Sequence, residues 1–302
     1  MPGRKSRRKL VVVRTLFSIV FSIVGLFFLA NLRSPAQAAV PQSLSASQAQ
    51  ALVDRALANE LRAALDAGRP MRYVLKRSTP RLSSTREIYE TREGDVARLL
   101  AIDGRPLGPA AEQKEEARLS ELAATPGRQR HRQQAEDADR ARALKVLRAL
   151  PEAFLYEYAG TEQGPGGLVE KFAFRPNPEF SPTALETQAL TAMAGAIWID
   201  PRQERVTRLE GHLQQDVNFG WGILGRLNKG GWIVIDQAEV LPGQWRTVRL
   251  QMAMNGRVFF RSRNFDTTEE ESQFALLPPA MGYQQAIAKL ESGASAPAPD
   301  SR

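Results

Sequence analysis

Apolar residues recur along this chain in three rhythms. From Leu10 to Ala30 they run almost unbroken, interrupted by Arg14 and a few small polar residues. From Ser45 to Ala67 they recur near a 3.6-residue period, with Leu52, Val53, Ala56, Leu57, Leu61 and Leu65 on one stripe, which predicts an amphipathic helix ended by Gly68 and Pro70. After that the dominant rhythm is alternation. Met71 to Ser78, Thr85 to Thr91 and Val96 to Ile102 read as strands, the last two joined by a Glu93-Gly94-Asp95 turn. Between Pro109 and Leu150 the composition shifts to Ala, Glu, Arg and Gln, and Pro126-Gly127 divides the stretch into two predicted helices. Strands resume at Ala153. Phe154, Tyr156 and Tyr158 share one parity, Phe172 and Phe174 share one parity of the next strand, and Gly164-Pro165-Gly166-Gly167 links the two. Further strands are expected over 195–200, 206–213, 220–227, 231–240, 245–254 and 257–263, the last pair separated by an Asn255-Gly256 turn. A short helix from Tyr283 to Leu290 closes the pattern, and 292–302 reads as a disordered Ser, Ala and Pro tail.

These elements predict an α+β fold: a large curved antiparallel sheet of eight to ten strands, a half-barrel packed on the N-terminal helix, with residues 109–150 as a helical-hairpin insertion. Residues 39–291 are expected to form one domain. The insertion is largely charged, so a solvated arm is the plain expectation for it and a partner-docking arm the sharper one; as an arm, it could be deleted with the domain left folded.

The continuous apolar run carries a different meaning. It follows Arg4, Lys5, Arg7, Arg8 and Lys9 and precedes Ala36-Gln37-Ala38, the small residues that signal peptidase selects, so residues 1–38 read as an export signal cleaved after Ala38, with Ala36 and Ala38 at the selective positions. Retained, the same run would be an N-terminal anchor that still sends the rest across a membrane. Export places the protein in the periplasm or cell envelope. It also corrects the charge: the net +8 arises from 41 basic and 33 acidic residues, but seven basic and no acidic residues fall before Ala39, leaving 34 against 33. Without a concentrated basic footprint in the 264-residue remainder, nucleic acid is excluded as a partner. There is no cysteine, hence no disulfide and no lipidated cysteine.

Candidate chemistry is sparse. Gly220-Trp221-Gly222-Ile223-Leu224-Gly225 matches the dinucleotide fingerprint, but a turn at Asn228 to Gly231 and another strand follow it where a helix is required. The two histidines, His131 and His212, have no companion at metal-ligand spacing, and no serine sits in a nucleophile-elbow context. Carboxylates such as Glu87 with Glu93, or Glu269 to Glu271, could serve as acid and base, though charge runs at strand ends are ordinarily solvated. No metal or cofactor is expected, and a hydrolase is left as a minor alternative.

Aromatics are the remaining signal. Trp198, Trp221, Trp232 and Trp245 all fall in the second half of the chain, among Phe154, Tyr156, Phe172, Phe174 and the adaptable Met252. They form either a core or the lining of a cavity. The cavity reading takes Phe154, Tyr156, Phe172, Phe174, Trp198, Trp221, Trp232 and Met252 as its lining.

In element order, from Ser45 to Leu290, the chain resembles periplasmic lipoprotein carriers and outer-membrane lipoprotein-sorting proteins of the Lol type. That resemblance implies helices plugging the concave side of a half-barrel and an apolar cavity that shelters acyl chains. The arm at 109–150 is larger than such a carrier needs. The expectation is therefore a non-enzymatic envelope protein that binds a lipid or lipidated protein, the alternative being an adaptor that recruits an envelope partner through the charged arm or a sheet edge.

Overall fold

A computed structural model describes residues 44–66, 68–220, 224–259 and 261–293; the signal residues Ala36 and Ala38, Trp221 and the tail beyond 293 lie outside them. In chain order the elements are α1 (Ala46–Leu65), β1 (Met71–Thr79), β2 (Leu82–Tyr89), β3 (Val96–Ile102), β4 (Arg105–Pro106), α2 (Pro109–Ala124), α3 (Pro126–Ala153), β5 (Phe154–Gly164), β6 (Gly167–Pro176), α4 (Leu185–Gln188), β7 (Met193–Asp200), β8 (Arg205–Leu213), β9 (Val217–Phe219), β10 (Gly225–Leu227), β11 (Trp232–Leu241), β12 (Gln244–Val258), β13 (Arg261–Leu276) and α5 (Tyr283–Gly293). The strands form one open antiparallel sheet in the order β4-β3-β2-β1-β13-β12-β11-β8-β7-β6-β5, with β9 and β10 attached to the far end of β12. The sheet is larger than the eight to ten strands expected, and it does not close into a barrel. Register shifts between β1 and β13, β2 and β3, β5 and β6, β7 and β8, and β11 and β12 supply the bulges that bend such a sheet.

Cross-strand partners share a face, so the register reads out both surfaces. One row runs Tyr158, Phe172, Ile197, Leu209, Ile235, Leu250, Glu269, Arg77, Ser84 across nine strands. Its first six members are apolar and lie where α1 and the end of α3 cover the sheet; its last three are polar. The opposite face carries Lys171, Trp198, Arg208, Asp236, Arg249, Glu270 and Lys76 in one row, a ladder of charges in which Arg208 pairs with Asp236 at 2.7 Å and Lys76 with Glu270 at 3.5 Å.

Two hydrophobic clusters result. The larger joins Leu52, Val53, Ala56 and Leu57 of α1 to Phe154, Phe172, Phe174, Ile197, Ile233 and Met252 of the sheet. The smaller joins Tyr89 and Val96 to Leu119 and Leu122 of α2 and Tyr283, Ile287 and Leu290 of α5. Tyr89 and Val96 have the opposite parity to the α1-covered row, so α2 and α5 pack on the other face at that end.

Local chemistry fixes α1. Ser45 and Gln48 form a reciprocal capping box at its start. Near its end, buried Glu60 accepts from Arg205 Nε at 2.7 Å and Nη2 at 3.1 Å, from the Val206 amide at 3.0 Å and from Gln237 Nε2 at 3.2 Å, which ties the helix to β8 and β11.

Three expectations require correction. Asn255-Gly256 is not a turn: the ladder runs straight through it, Asn255 opposite Asn264 and Gly256 opposite Arg263, and the chain reverses after Val258. Of the strand expected over 220–227, the described residues contain β10 at Gly225–Leu227, with Gly220 in a turn; 221–223 lie outside them. The charged arm is not a removable projection. Gln129 is buried and donates to the carbonyls of Glu93 and Gly94 at 2.9 Å, Arg132 and Gln133 donate to those of Asp95 and Arg92 at 3.0 Å, and Glu136 accepts from the Asp95 amide at 3.0 Å, so α3 is bolted to the β2–β3 turn. Leu119 and Leu122 fill the smaller cluster. Excising 109–150 would remove Leu119 and Leu122 from the smaller cluster and the partly buried Val146, Ala149 and Leu150 that pack against the larger one.

Candidate functional site

The α1 stripe does not fill the whole of the face it covers. Where its first two turns pass over β5, the last strand at one sheet edge, and over β6, a groove of about 310 Å³ remains, walled by Leu44, Ala46, Ala49, Gln50 and Val53 on the helix side and Tyr156, Glu157, Tyr158 and Phe172 on the sheet side. Small alanines on the helix opposite ring side chains on the strands leave the gap. Its size is at the lower end of small-molecule sites.

The two tyrosines are positioned by their hydroxyls. Tyr156 donates to the Leu150 carbonyl at 3.1 Å, fixing its ring beneath the end of α3, and burial together with the charge of Asp54 pushes its phenol pKa up. Tyr158 donates to Glu170 at 2.8 Å, and Thr161 donates to the same carboxylate oxygen at 2.9 Å. The rings thus face the groove while their polar ends are satisfied elsewhere. The charged groups near it, Glu157 on the rim and Asp54 on the next turn of α1, are acidic.

Of the residues singled out in the sequence, Tyr156 and Phe172 line this groove. Phe154 and Phe174 pack on each other with ring centroids 4.5 Å apart, and both are buried in the larger cluster, as are Met252 and Trp232. Trp198 is on the opposite, charged face, with Lys171 4.7 Å and Arg208 5.7 Å from its ring and its indole donating to Glu162 at 2.6 Å. Trp221 lies outside the described residues. The helix-side wall, Ala46, Ala49 and Gln50 with Val53, carries no signal of its own in the sequence. An apolar stripe looks the same whether the surface beneath it is full or hollow.

A seam of carboxylates is equally hidden in the sequence. Glu271 was expected to be solvated, yet it sits beside Tyr73 and near Glu269, Glu90 and Asp95; burial and then the neighbouring Glu269 and Glu90 push its pKa up to about 8, with Arg246 opposing. Asp95 is pushed up to about 7 by burial, Glu136 and Glu90, against the Thr91 amide and Arg132. A second, wider cleft of about 610 Å³ is walled by Leu185, Gln188, Asn218 and Gly220 and is more open to solvent than the groove.

No protein family matches the chain, and no curated protein matches it in sequence. Among solved structures it is similar to a putative outer membrane lipoprotein-sorting protein domain from Vibrio parahaemolyticus, with 14% identity and a TM-score of 0.29 over 74% of this chain and 93% of that one. It is also similar to a DUF1329 family protein from Desulfovibrio piger, with 11% identity and a TM-score of 0.25 over 76% of this chain and 92% of that one. At such scores neither likeness carries a statement about family, ligand or residues.

Proposed function

We propose that this protein is exported to the cell envelope and binds, without chemical transformation, a single acyl chain or similarly slender apolar group in the groove between α1 and β5–β6. The observation that carries the reading is the groove itself: about 310 Å³ at a sheet edge, with Leu44, Ala49 and Val53 on one wall, Tyr156, Tyr158 and Phe172 on the other, and the polar Gln50 and Glu157 among them. At roughly 30 Å³ per water-sized group it has room for about ten such groups, which suits one chain and not a bundle of them. Full burial of about ten methylenes would contribute about 8 kcal/mol before the cost of immobilising the ligand, and a groove open on one side retains a part of that. Acidic Glu157 and Asp54 nearby disfavour an anionic headgroup at the mouth, which favours an uncharged acyl group such as that of a lipidated protein. The aromatic walls support binding rather than catalysis, because their hydroxyls are already committed to structural acceptors.

The test is native mass spectrometry of the chain from Ala39 to Arg302, purified from envelope fractions without detergent. We expect a stoichiometric lipid or lipopeptide adduct that Ala46→Trp, an exposed helix position on the groove wall, abolishes with the fold intact. A bare protein, or an adduct unaffected by that substitution, would sink the reading.

A further inference from the structure

The far end of β12 projects with β10 and β13, and its tip is built against the interest of stability. Phe259 is 55% exposed and Leu224 beside it 44%, the two joined by a Phe259 amide to Leu224 carbonyl bond of 3.0 Å. Phe259 also has φ +51°, a left-handed conformation that a bulky side chain adopts at a cost and that Asn or Gly adopts readily. Phe259 thus combines an unfavourable backbone conformation with a ring more exposed than buried.

Charge surrounds this apolar point on both sides. Arg226 stands opposite Arg257 across the β10–β12 pair, and Asp216 pairs with Arg226. On the other face of the same strands, Arg261 stands opposite Val258 and Arg263 opposite Gly256. Arg261 and Arg263 are exposed, and no acidic residue occurs over 224–229 or 255–264.

We infer that this tip docks the protein on an anionic membrane surface, with Phe259 and Leu224 entering the headgroup layer and the arginines on both faces meeting lipid phosphates. A protein partner would engage one face of the ribbon. A bilayer entered end-on engages both, and an apolar point ringed by cations with long aliphatic stems matches the layered polarity of a membrane interface. The inference stands on this surface and not on the groove.

The experiment is flotation of the chain starting at Ala39, which keeps every described element, with vesicles of phosphatidylcholine with or without phosphatidylglycerol. Binding is expected only with phosphatidylglycerol and should weaken in salt. Each arginine near an anionic surface contributes roughly fivefold, so Arg261→Gln with Arg263→Gln should lower partitioning about thirty-fold. Phe259→Asn should lower it roughly tenfold without lowering the melting temperature. Ala46→Trp should leave it unchanged. Equal binding to both vesicles, no binding, indifference to the tip substitutions, or loss on Ala46→Trp would each overturn the proposal. So would a protein cross-linked through position 259 in the absence of vesicle binding.

Discussion

Removing the Glu60 carboxylate would show whether α1 is a fixed wall of the groove or a helix resting loosely on the sheet. Its side chain and that of Arg205 are 10% and 15% exposed, and the pair meets at 2.7 Å. Glu60→Ala would strand a nearly buried guanidinium, leave the Val206 amide without its acceptor and release Gln237. Breaking one side of a buried pair costs about 3–5 kcal/mol, a fifth or more of the stability of an ordinary domain. For a chain of this size that lowers the melting temperature by roughly 6–20 °C. Urea titration followed by tryptophan fluorescence is a suitable assay, because Arg205 lies 5.2 Å from the Trp245 ring and the change is reported where it occurs. Glu60→Gln keeps one accepting oxygen and should lose less. The double variant Glu60→Gln with Arg205→Met, which removes the stranded charge, should recover part of the loss of Glu60→Ala. A loss below about 1 kcal/mol for Glu60→Ala would mean that solvent screens the pair, and the account of α1 as anchored would be wrong.

Other outcomes follow from the same contacts. The carboxyls of Glu271 and Asp95 have folded pKa values above their ordinary ones, so the folded state holds protons the unfolded chain has released; their contribution is full below about pH 4 and is lost as pH rises through about 7 and 8. The melting temperature should therefore decline between pH 5 and 9, and Glu271→Gln should flatten that decline; an unchanged profile in the variant would refute the assignment. Gly195 lies opposite Gly211 with the Glu210 carbonyl oxygen where a Cβ would stand, so Gly195→Ala should destabilise by about 1–3 kcal/mol or more, measured by the same urea titration. Buried Arg98 donates to the Leu290 carbonyl at 2.6 Å in the last turns of α5, and Arg98→Ala should speed amide exchange in α5 before the β5–β8 strands respond.

Much of this fold is legible in the sequence because one face of the sheet is apolar. The stripe of α1, the alternation of β1 and β3 and the Gly-rich link between β5 and β6 all mark themselves. The second half of β13 does not. Over Thr267 to Ser272 its side chains are polar in both directions, because one face meets Lys76 and Arg249 and the other meets Arg77, so salt bridges replace the alternation by which a strand is recognised. Asn255-Gly256 misleads for a related reason. Gly256 is needed because the Arg226 carbonyl of β10 presses on its backbone, a close approach that reads in sequence like a reversal. Of the groove, the ring-bearing strands were visible as parity; the hollow beneath Ala46 and Ala49 depends on where the helix sits, which no local pattern encodes.

The pairing of β1 with β13 sets the order in which the molecule can be completed. Strands β5 to β12 neighbour one another nearly in sequence and can assemble as they emerge, but β1, with β2, β3 and β4 beyond it, joins the sheet only through residues 261–276. The first strand made must wait for the last. Until then the edge of β1 is open and the smaller core lacks α5, so a contact between segments about 200 residues apart closes both the sheet and that core, and the chain is exposed to mispairing for as long as that contact is missing.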